Sequence, residues 1–299
     1  MVNKGSNMDV SIIIVNYRTP ELTKNCIRSI EKVFDGAVYQ YEVILVDNCS
    51  NDGRFSELKE LESENVHVYE TLKNGGFGYG NNYGVKRALG EFVFFLNSDT
   101  ILYPSTIIEM ICFMRENRDV GALTCYMEDG DKFPLVVSHA FESFKTLFVQ
   151  TRIKPLIPKF LKRIRAERYQ SRTEVEALDV DWVSGAGMLM PKSVFDEVGG
   201  WNEMFFMYME DEELCYRVHK AGYRVALYPK MGIQHLIGQS GGSAFVAYEQ
   251  FKSKILYFRL VYQKDSKSIR RLLFAQAKKY MKALPKEERN SVLKKLKEV

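Results

Sequence analysis

The chain has 299 residues, 46% of them hydrophobic, 13% aromatic and 27% charged, with a net charge of +4. Those proportions support one large globular domain, or one with an appendage, and exclude disorder as the main state. No apolar run approaches the roughly 20 residues of a membrane span, and residues 1–8 show no apolar signal core, so the sequence predicts no secretion. Five cysteines (26, 49, 112, 125 and 215) are scattered, odd in number and without a CxxC pair. That usage predicts a reduced, cytoplasmic protein without structural zinc.

In chain order, Val10–Asn16 (VSIIIVN) predicts a buried strand: short, β-branched and closed by polar residues. Thr19-Pro20-Glu21 then reads as a helix start, and Leu22, Cys26, Ile27, Ile30 and Phe34 keep one face apolar. Tyr41–Asp47, Val66–Tyr69 and Glu91–Asn97 predict further strands, with helices over Gly80–Leu89 and Pro104–Arg115. Alternating strands and helices imply a mostly parallel sheet flanked by helices, an α/β domain. Residues 138–178 break the pattern: apolar residues are interleaved with nine Lys/Arg between Ser138 and Val175, interrupted by Pro155 and Pro158, as in short amphipathic helices. A second α/β stretch runs from Asp181 to about His235. Beyond residue 242 the chain reads as helical, with twelve Lys/Arg against four acids from Lys264 to Val299. The expected organisation is an N-terminal tail (1–8), a main domain (9–242) with a basic insertion (138–178), and a basic helical extension (243–299). An acidic body between basic flanks suits a metal ion in the one and phosphates or anionic lipid on the others.

In a parallel sheet, ligands bind beyond the carboxyl ends of the strands. Those ends here are Asn16-Tyr17-Arg18, Asp47-Asn48 and Asn97-Ser98-Asp99. Asp and Asn are common in turns, but three polar ends together predict one crevice holding at least two carboxylates. The loop from Lys73 to Asn82 is rich in glycine and opens a helix, a geometry that lets backbone approach an anion. It lacks both the dinucleotide fingerprint and the P-loop signature. The acids Glu210, Asp211, Glu212 and Glu213 follow an aromatic, Met-rich run. A helix start accounts for Glu212 and Glu213; apolar sequence delivering Glu210 or Asp211 suggests that one of them points into a cleft. His235 follows as a structural histidine or a ligand.

The order Asn16-Tyr17, Val46-Asp47-Asn48-Cys49-Ser50, Asn74-Gly75-Gly76-Phe77-Gly78 with Asn81-Asn82, and Leu96-Asn97-Ser98-Asp99-Thr100 resembles the inverting family 2 glycosyltransferases of the GT-A fold. Asp181-Trp182-Val183-Ser184-Gly185-Ala186, Gly199-Gly200-Trp201 and Met209-Glu210-Asp211 are similar to the same family, with a rhamnosyltransferase-like branch of bacterial surface polysaccharide synthesis the nearest in pattern. The resemblance implies a Rossmann-like domain that takes a nucleoside-diphosphate sugar (dTDP or UDP, with dTDP-rhamnose the best guess) and passes the sugar to a glycan or lipid-linked glycan. It places Val15, Asn16, Tyr17 and Asp47 around the pyrimidine, and Gly76, Asn81, Asn97, Ser98 and Asp99 on the donor side. Asp99 and His235 would hold a divalent cation (Mg2+ or Mn2+), with Asn97 a departure from the first Asp of the family's DxD motif. Asp211 would be the general base, and Trp182, Gly185, Trp201 and Glu210 would face the acceptor.

Two other readings compete. A sugar nucleotidyltransferase should carry a Gly-rich basic loop directly after the first strand, where this chain has Asn16-Tyr17-Arg18-Thr19-Pro20. A non-catalytic scaffold would explain Asn97 but not the intact Asp99, Asp211 and His235. Nothing resembles a nucleic-acid module. The basic helices suggest a peripheral position on an anionic membrane surface at the inner face of the cell membrane.

Overall fold

The structure, a computed structural model, describes residues 8–149, 151, 177–236, 243–263 and 266–299. Most of the basic stretch expected to be amphipathic (152–176) lies outside the described residues. Strands β1 (Val10–Asn16), β2 (Tyr41–Asp47), β3 (Val66–Glu70) and β4 (Phe92–Asn97) form the parallel half of a sheet in the order β3-β2-β1-β4. Their runs are apolar without alternation because both faces are covered. Ile12 and Ile14 pack on one side with Cys26, Ile27 and Ile30 of the helix Pro20–Phe34. Ile13, Ile44, Val46 and Phe95 pack on the other with Val85, Trp201 and Leu214. Each such side chain contributes roughly 1.5–3 kcal/mol when fully buried.

The second half of the sheet is mixed, which the alternating pattern did not indicate. Short β5 (Thr100–Leu102), long β6 (Val120–Glu128), β10 (Gly187–Pro191) and β11 (Arg224–His235) complete the order β4-β10-β6-β11-β5, with β8 (Leu178–Asp179) on β11. β10 runs antiparallel to both β4 and β6. β6 and β11 are parallel. β7 (Ser138–His139) and β9 (Trp182–Val183) form a separate two-stranded ribbon.

The C-terminal helices Ala244–Tyr262, Lys267–Tyr280 and Lys286–Glu298 share a core of their own: Phe251, Ile255, Tyr257 and Phe258 meet Leu272, Leu273, Val292 and Leu296. Leu147 and Phe205 join this cluster, so the extension is built onto the body through apolar contact. Its lysines ride outside: Lys267, Lys278, Lys279 and Lys282 are all exposed.

The helix foreseen from Gly80 begins earlier, at Phe77, directly after Gly76. Gly76 has φ +91°, and a Cβ there would sit 2.1 Å from the Phe206 carbonyl oxygen. The helix instead receives that oxygen at the Phe77 amide, 2.9 Å away. Gly76→Ala should therefore destabilise the protein by about 1–3 kcal/mol through strain at positive φ and displacement of residue 206. A thermal melt checks this, and an unchanged midpoint would contradict the clamp.

Candidate active site

Parallel register sets the first part of the site. Asn16 lies opposite Asp47, and Val15 opposite Asn97, so three polar strand ends fall in one row where the chain switches sides of the sheet. Asp47 is 1% exposed. Its carboxylate accepts from Asn16 Nδ2 at 2.5 Å, the Ser50 amide at 2.9 Å and Ser50 Oγ at 2.6 Å. Asn16 Oδ1 in turn accepts from the hydroxyls of Thr19 and Thr23. Thr19 thus spends its hydroxyl on Asn16 and Ser98 rather than capping its own helix. Next to Asp47 opens a cleft of about 330 Å3, bordered by Asn51, Asp52, Phe55 and Glu70. Tyr17 is exposed at the strand end with the Arg18 guanidinium over its ring, and Val15 is half-buried against Gly80.

The glycine loop serves as a brace between two loops. Asn48 Nδ2 donates to the Gly76 carbonyl at 2.9 Å, and the Gly76 amide donates to Asn74 Oδ1 at 3.0 Å. Both polar backbone groups of Gly76 are therefore engaged within the protein. Asn81 is buried and donates to the Phe77 carbonyl of its own helix. The neighbouring Asn82, one helical step round, clamps the Trp201 backbone by donating to its carbonyl at 2.8 Å and accepting from its amide at 2.9 Å. Asn48 and Asn82 were visible in the motifs, but only the fold shows that they act as clamps.

Antiparallel pairing builds the next part. β11 aligns His235 with Thr100 on β5, and the Leu236 amide donates to the Asp99 carbonyl at 2.8 Å. This brings His235 Nε2 to 3.0 Å from Asp99 Oδ1 and 3.2 Å from Asn97 Nδ2. The two residues were 136 positions apart in the sequence. Among the described residues no group of three His, Cys, Asp or Glu side chains converges. A carboxylate and an imidazole side by side nonetheless suit a divalent ion that takes its remaining ligands from phosphate oxygens and water.

The acids complete the site. Tyr208 and Met209 both adopt left-handed backbone, with φ +69° and +68°, immediately before the helix Glu210–Lys220. Two such non-glycine residues in a row are costly and concentrate where geometry matters. They turn Asp211 toward Gly185, whose amide donates to Asp211 Oδ2 at 3.3 Å; the Glu212 amide donates to Oδ1 at 2.9 Å. Burial raises the Asp211 carboxyl above the ordinary carboxylate range, against these two hydrogen bonds. Burial, with the adjacent Asp211 charge second, pushes Glu210 up to about 8, and its Oε2 has no partner among the described residues. Glu212, expected at a solvated helix tip, is buried instead, accepts from the Glu142 amide and is pushed up to about 8, mainly by burial. Glu213 is also buried and is held by Arg217 one turn on.

Two acceptor-side expectations change. Trp201 is 2% exposed, with its ring set edge-on against those of Phe77 and Phe95. No face is left for stacking on a sugar, so Trp201 is a core residue supporting the site. Gly185 acts through its backbone on Asp211, and an added Cβ would crowd Trp201 and Phe77. Trp182 is half-buried on the β7–β9 ribbon.

A family model described as Glycosyl transferase family 2 matches residues 11–198, and the chain belongs to that family. A second model, Glycosyl transferase family 21, matches residues 164–247. The chain is 28% identical over 274 residues to the low-salt glycan biosynthesis hexosyltransferase Agl10 of Haloferax volcanii, covering 89% of this chain and 80% of the relative. It is 24% identical to the rhamnosyltransferase WbbL of Escherichia coli, covering 79% and 86%. It is 28% identical to the N-acetylglucosaminyl-diphospho-decaprenol L-rhamnosyltransferase of Mycobacterium tuberculosis, covering 67% and 68%. The fold is shared with S. aureus TarS in complex with UDP (TM-score 0.55, 17% identity, 92% of this chain and 70% of that one). It is also shared with the mannosyltransferase PcManGT of Pyrobaculum calidifontis in complex with GDP-Man and Mn2+ (TM-score 0.57, 15% identity, 97% and 76%). The protein is a GT-A glycosyltransferase.

The buried acids make stability depend on pH. Folded Glu210 and Glu212 hold protons up to about 8, against 4.5 for an ordinary glutamate. The folded state thus binds more protons than the unfolded chain over that window, so stability is greatest in mild acid and falls as pH rises through it. Glu212→Gln should flatten the fall in melting temperature between pH 6 and pH 8. Equal slopes for variant and parent would show that Glu212 ionises freely in the folded protein.

Proposed function

We propose that the protein transfers a hexose, with rhamnose from dTDP-rhamnose the best candidate, from a nucleoside-diphosphate donor to a glycan or lipid-linked glycan with inversion at C1. The observation that carries this reading is one pair of consecutive residues. Asn97 donates its amide to the Ala186 carbonyl at 3.0 Å, while the amide of the preceding Gly185 donates to Asp211. The donor-side triplet and the candidate base are thereby joined through a single dipeptide. The relatives named as rhamnosyltransferases support the sugar, and the decaprenol in one of their names supports a lipid-linked acceptor.

Asp47 and the cleft beside it would receive the pyrimidine, with the backbone of Val15–Tyr17 along one edge. A sugar hydroxyl is a weak nucleophile and needs a base within hydrogen-bond reach. Asp211 accepts the hydroxyl proton as the new bond to C1 forms and the bond from C1 to the diphosphate breaks. Its two amide donors fix the carboxylate in place, which keeps the attack in line. Glu210, with a free oxygen, accepts a second acceptor hydroxyl. Asp99 and His235 would hold a divalent cation, Mg2+ or Mn2+, which supplies positive charge against the departing diphosphate.

Asp211→Asn should lower kcat by about 10²–10⁴-fold while leaving the affinity for UDP or dTDP, measured by calorimetry, within twofold. The raised carboxyl also predicts that the rate climbs with pH as Asp211 loses its proton, over a range above that of an ordinary aspartate near 3.9. Turnover in Asp211→Asn like that of the parent would remove Asp211 as base. Nucleotide binding lost together with turnover would mean a structural failure instead.

The proposed membrane position rests on a particular surface. Phe144 and Phe148 are 50% and 44% exposed and stack on one another, on a short helix against the basic helix Lys267–Tyr280. Exposed apolar rings on a helix packed against one that bears exposed lysines suit the interface of an anionic bilayer. No helix among the described residues is long and apolar enough to cross a membrane. Because Leu272, Leu273, Val292 and Leu296 are core, charge reversal is a cleaner probe than truncation. Lys278→Glu with Lys279→Glu and Lys282→Glu should abolish sedimentation with vesicles containing phosphatidylglycerol at low salt, with the melting temperature held. Sedimentation equal to that of the parent would exclude this face.

A further inference from the structure

Glu212 is 5% exposed, and its carboxyl lies among groups from distant parts of the chain. The Glu142 amide donates to Glu212 Oε1. Ser143, the next residue, closes a capping box with Thr146, so an ordered turn presents that amide. The buried Tyr257 hydroxyl lies beside the Glu212 carboxyl, and Tyr262 packs against Tyr257. Both partners of the carboxyl are fixed to one helix, Ala244–Tyr262. Lys254 Nζ stands 3.6 Å from Glu142 Oε2, and Tyr257 belongs to the helix itself. Ser253 and Tyr257 are four residues apart and so share a helical face. That face reaches the segment around Asp211 twice: Ser253 Oγ donates to the Met207 carbonyl at 2.8 Å, and Tyr257 meets Glu212.

Glu212 also touches Asp211 through its backbone. Its amide donates to Asp211 Oδ1 at 2.9 Å, while the Gly185 amide holds Oδ2. Where the Glu212 side chain is seated therefore decides where one of the two donors to Asp211 points. A buried carboxyl is a costly filler, since an apolar side chain of like volume would occupy the space without desolvation. What a protonated carboxyl adds is direction: one oxygen accepts from the Glu142 amide and the other can donate to the Tyr257 hydroxyl. Burial keeps the proton on it, and the charges of Glu142 and Asp211 act in the same direction. We infer that Glu212 is a positioning residue for the transfer: its carboxyl seats the turn carrying Asp211 on the helix Ala244–Tyr262 and on the Glu142 amide. The C-terminal helices thereby take part in aligning the base. The inference rests on the reading of Asp211 as that base, and Glu212 acts on the reaction only through Asp211.

Turnover is followed as dTDP released from dTDP-rhamnose, with a lipid-linked N-acetylglucosaminyl diphosphate as acceptor and kcat expressed per site that binds dTDP in calorimetry. In parallel, amide hydrogen exchange of residues 205–214 is compared with that of β1 and β2, a readout that needs no substrate. Glu212→Met should lower kcat at least about tenfold, as small displacements of a reacting group do, with the KM for dTDP-rhamnose within about twofold. Exchange should quicken in residues 205–214 alone. Glu212→Gln, which has the shape of the protonated acid, should rescue kcat to within about threefold and restore slow exchange. Tyr257→Phe should cost less than Glu212→Met and add nothing to it in the double variant, since both act through one contact. If Glu212→Met keeps the parent's kcat and exchange while Asp211→Asn is inactive, the inference fails alone. If Asp211→Asn turns over as the parent does, the reading of the base fails. A loss in Glu212→Gln equal to that in Glu212→Met shows that seating by hydrogen bonds is not what Glu212 does. Faster exchange in β1 and β2 as well shows an ordinary loss of stability, and either result overturns the inference. Where the parent leaves dTDP-rhamnose untouched, the exchange comparison decides alone.

Discussion

The hydrogen bond from the Asn97 amide to the Ala186 carbonyl is the contact on which the site depends. It extends the antiparallel pairing of β10 with β4 by one residue past Leu96. β4 ends in Asn97 of the Asn97-Ser98-Asp99 triplet, while the chain entering β10 carries Gly185, whose amide holds Asp211. A slip of this register by one residue would turn every side chain of β10 to the opposite face. Met188 and Met190 would then trade places with Leu189, and the two apolar cores on either side of the sheet would lose their fit. Packing on both faces of the sheet thus fixes where Asp211 stands relative to the Asn97-Ser98-Asp99 strand end.

Polar clamps then carry that precision outward. Asn48, Asn74 and Asn82 are short amides: Asn48 and Asn74 tie the Gly76 loop to the end of β2, and Asn82 ties the Trp201 backbone to the helix Phe77–Val85. Gly76 allows the close approach to Phe206. Such a network explains how a run as apolar as residues 204–209 delivers carboxylates. Phe205 is buried in the C-terminal core, the left-handed turn at Tyr208 and Met209 follows, and Ser253 Oγ donates to the Met207 carbonyl at 2.8 Å. The C-terminal helices therefore support the turn that precedes Asp211 as well as presenting lysines to solvent.

The acids at 210–212 illustrate how burial and function pull in opposite directions. Three carboxyls at one helix start gain from the helix dipole, yet each is held at a raised proton affinity by desolvation. Keeping Glu210 and Glu212 largely neutral near pH 7 leaves Asp211 with less like charge beside it. The cost falls on stability at higher pH.

By itself the sequence determined the strand runs, the two-sided burial of the parallel half and the identity of the chemical groups. Uninterrupted β-branched runs can be stable only between two layers, and carboxylates at strand ends can be satisfied only by turns or by ligands. It also singled out Asp47, Asp99, Asp211 and His235 as candidates, through polar strand ends and ordered motifs. Trp201 was misjudged as an acceptor platform and Glu212 as a solvated tip, since burial is a property of what packs against a residue and leaves no local mark. The antiparallel course of β10 and the contact of His235 with Asn97 belonged to the tertiary structure alone, whereas the pairing of His235 with Asp99 was implied by the family resemblance. For His235 the segments joined are more than a hundred positions apart, and only sheet register, set by the packing of both cores at once, brings such atoms to 3.0–3.2 Å.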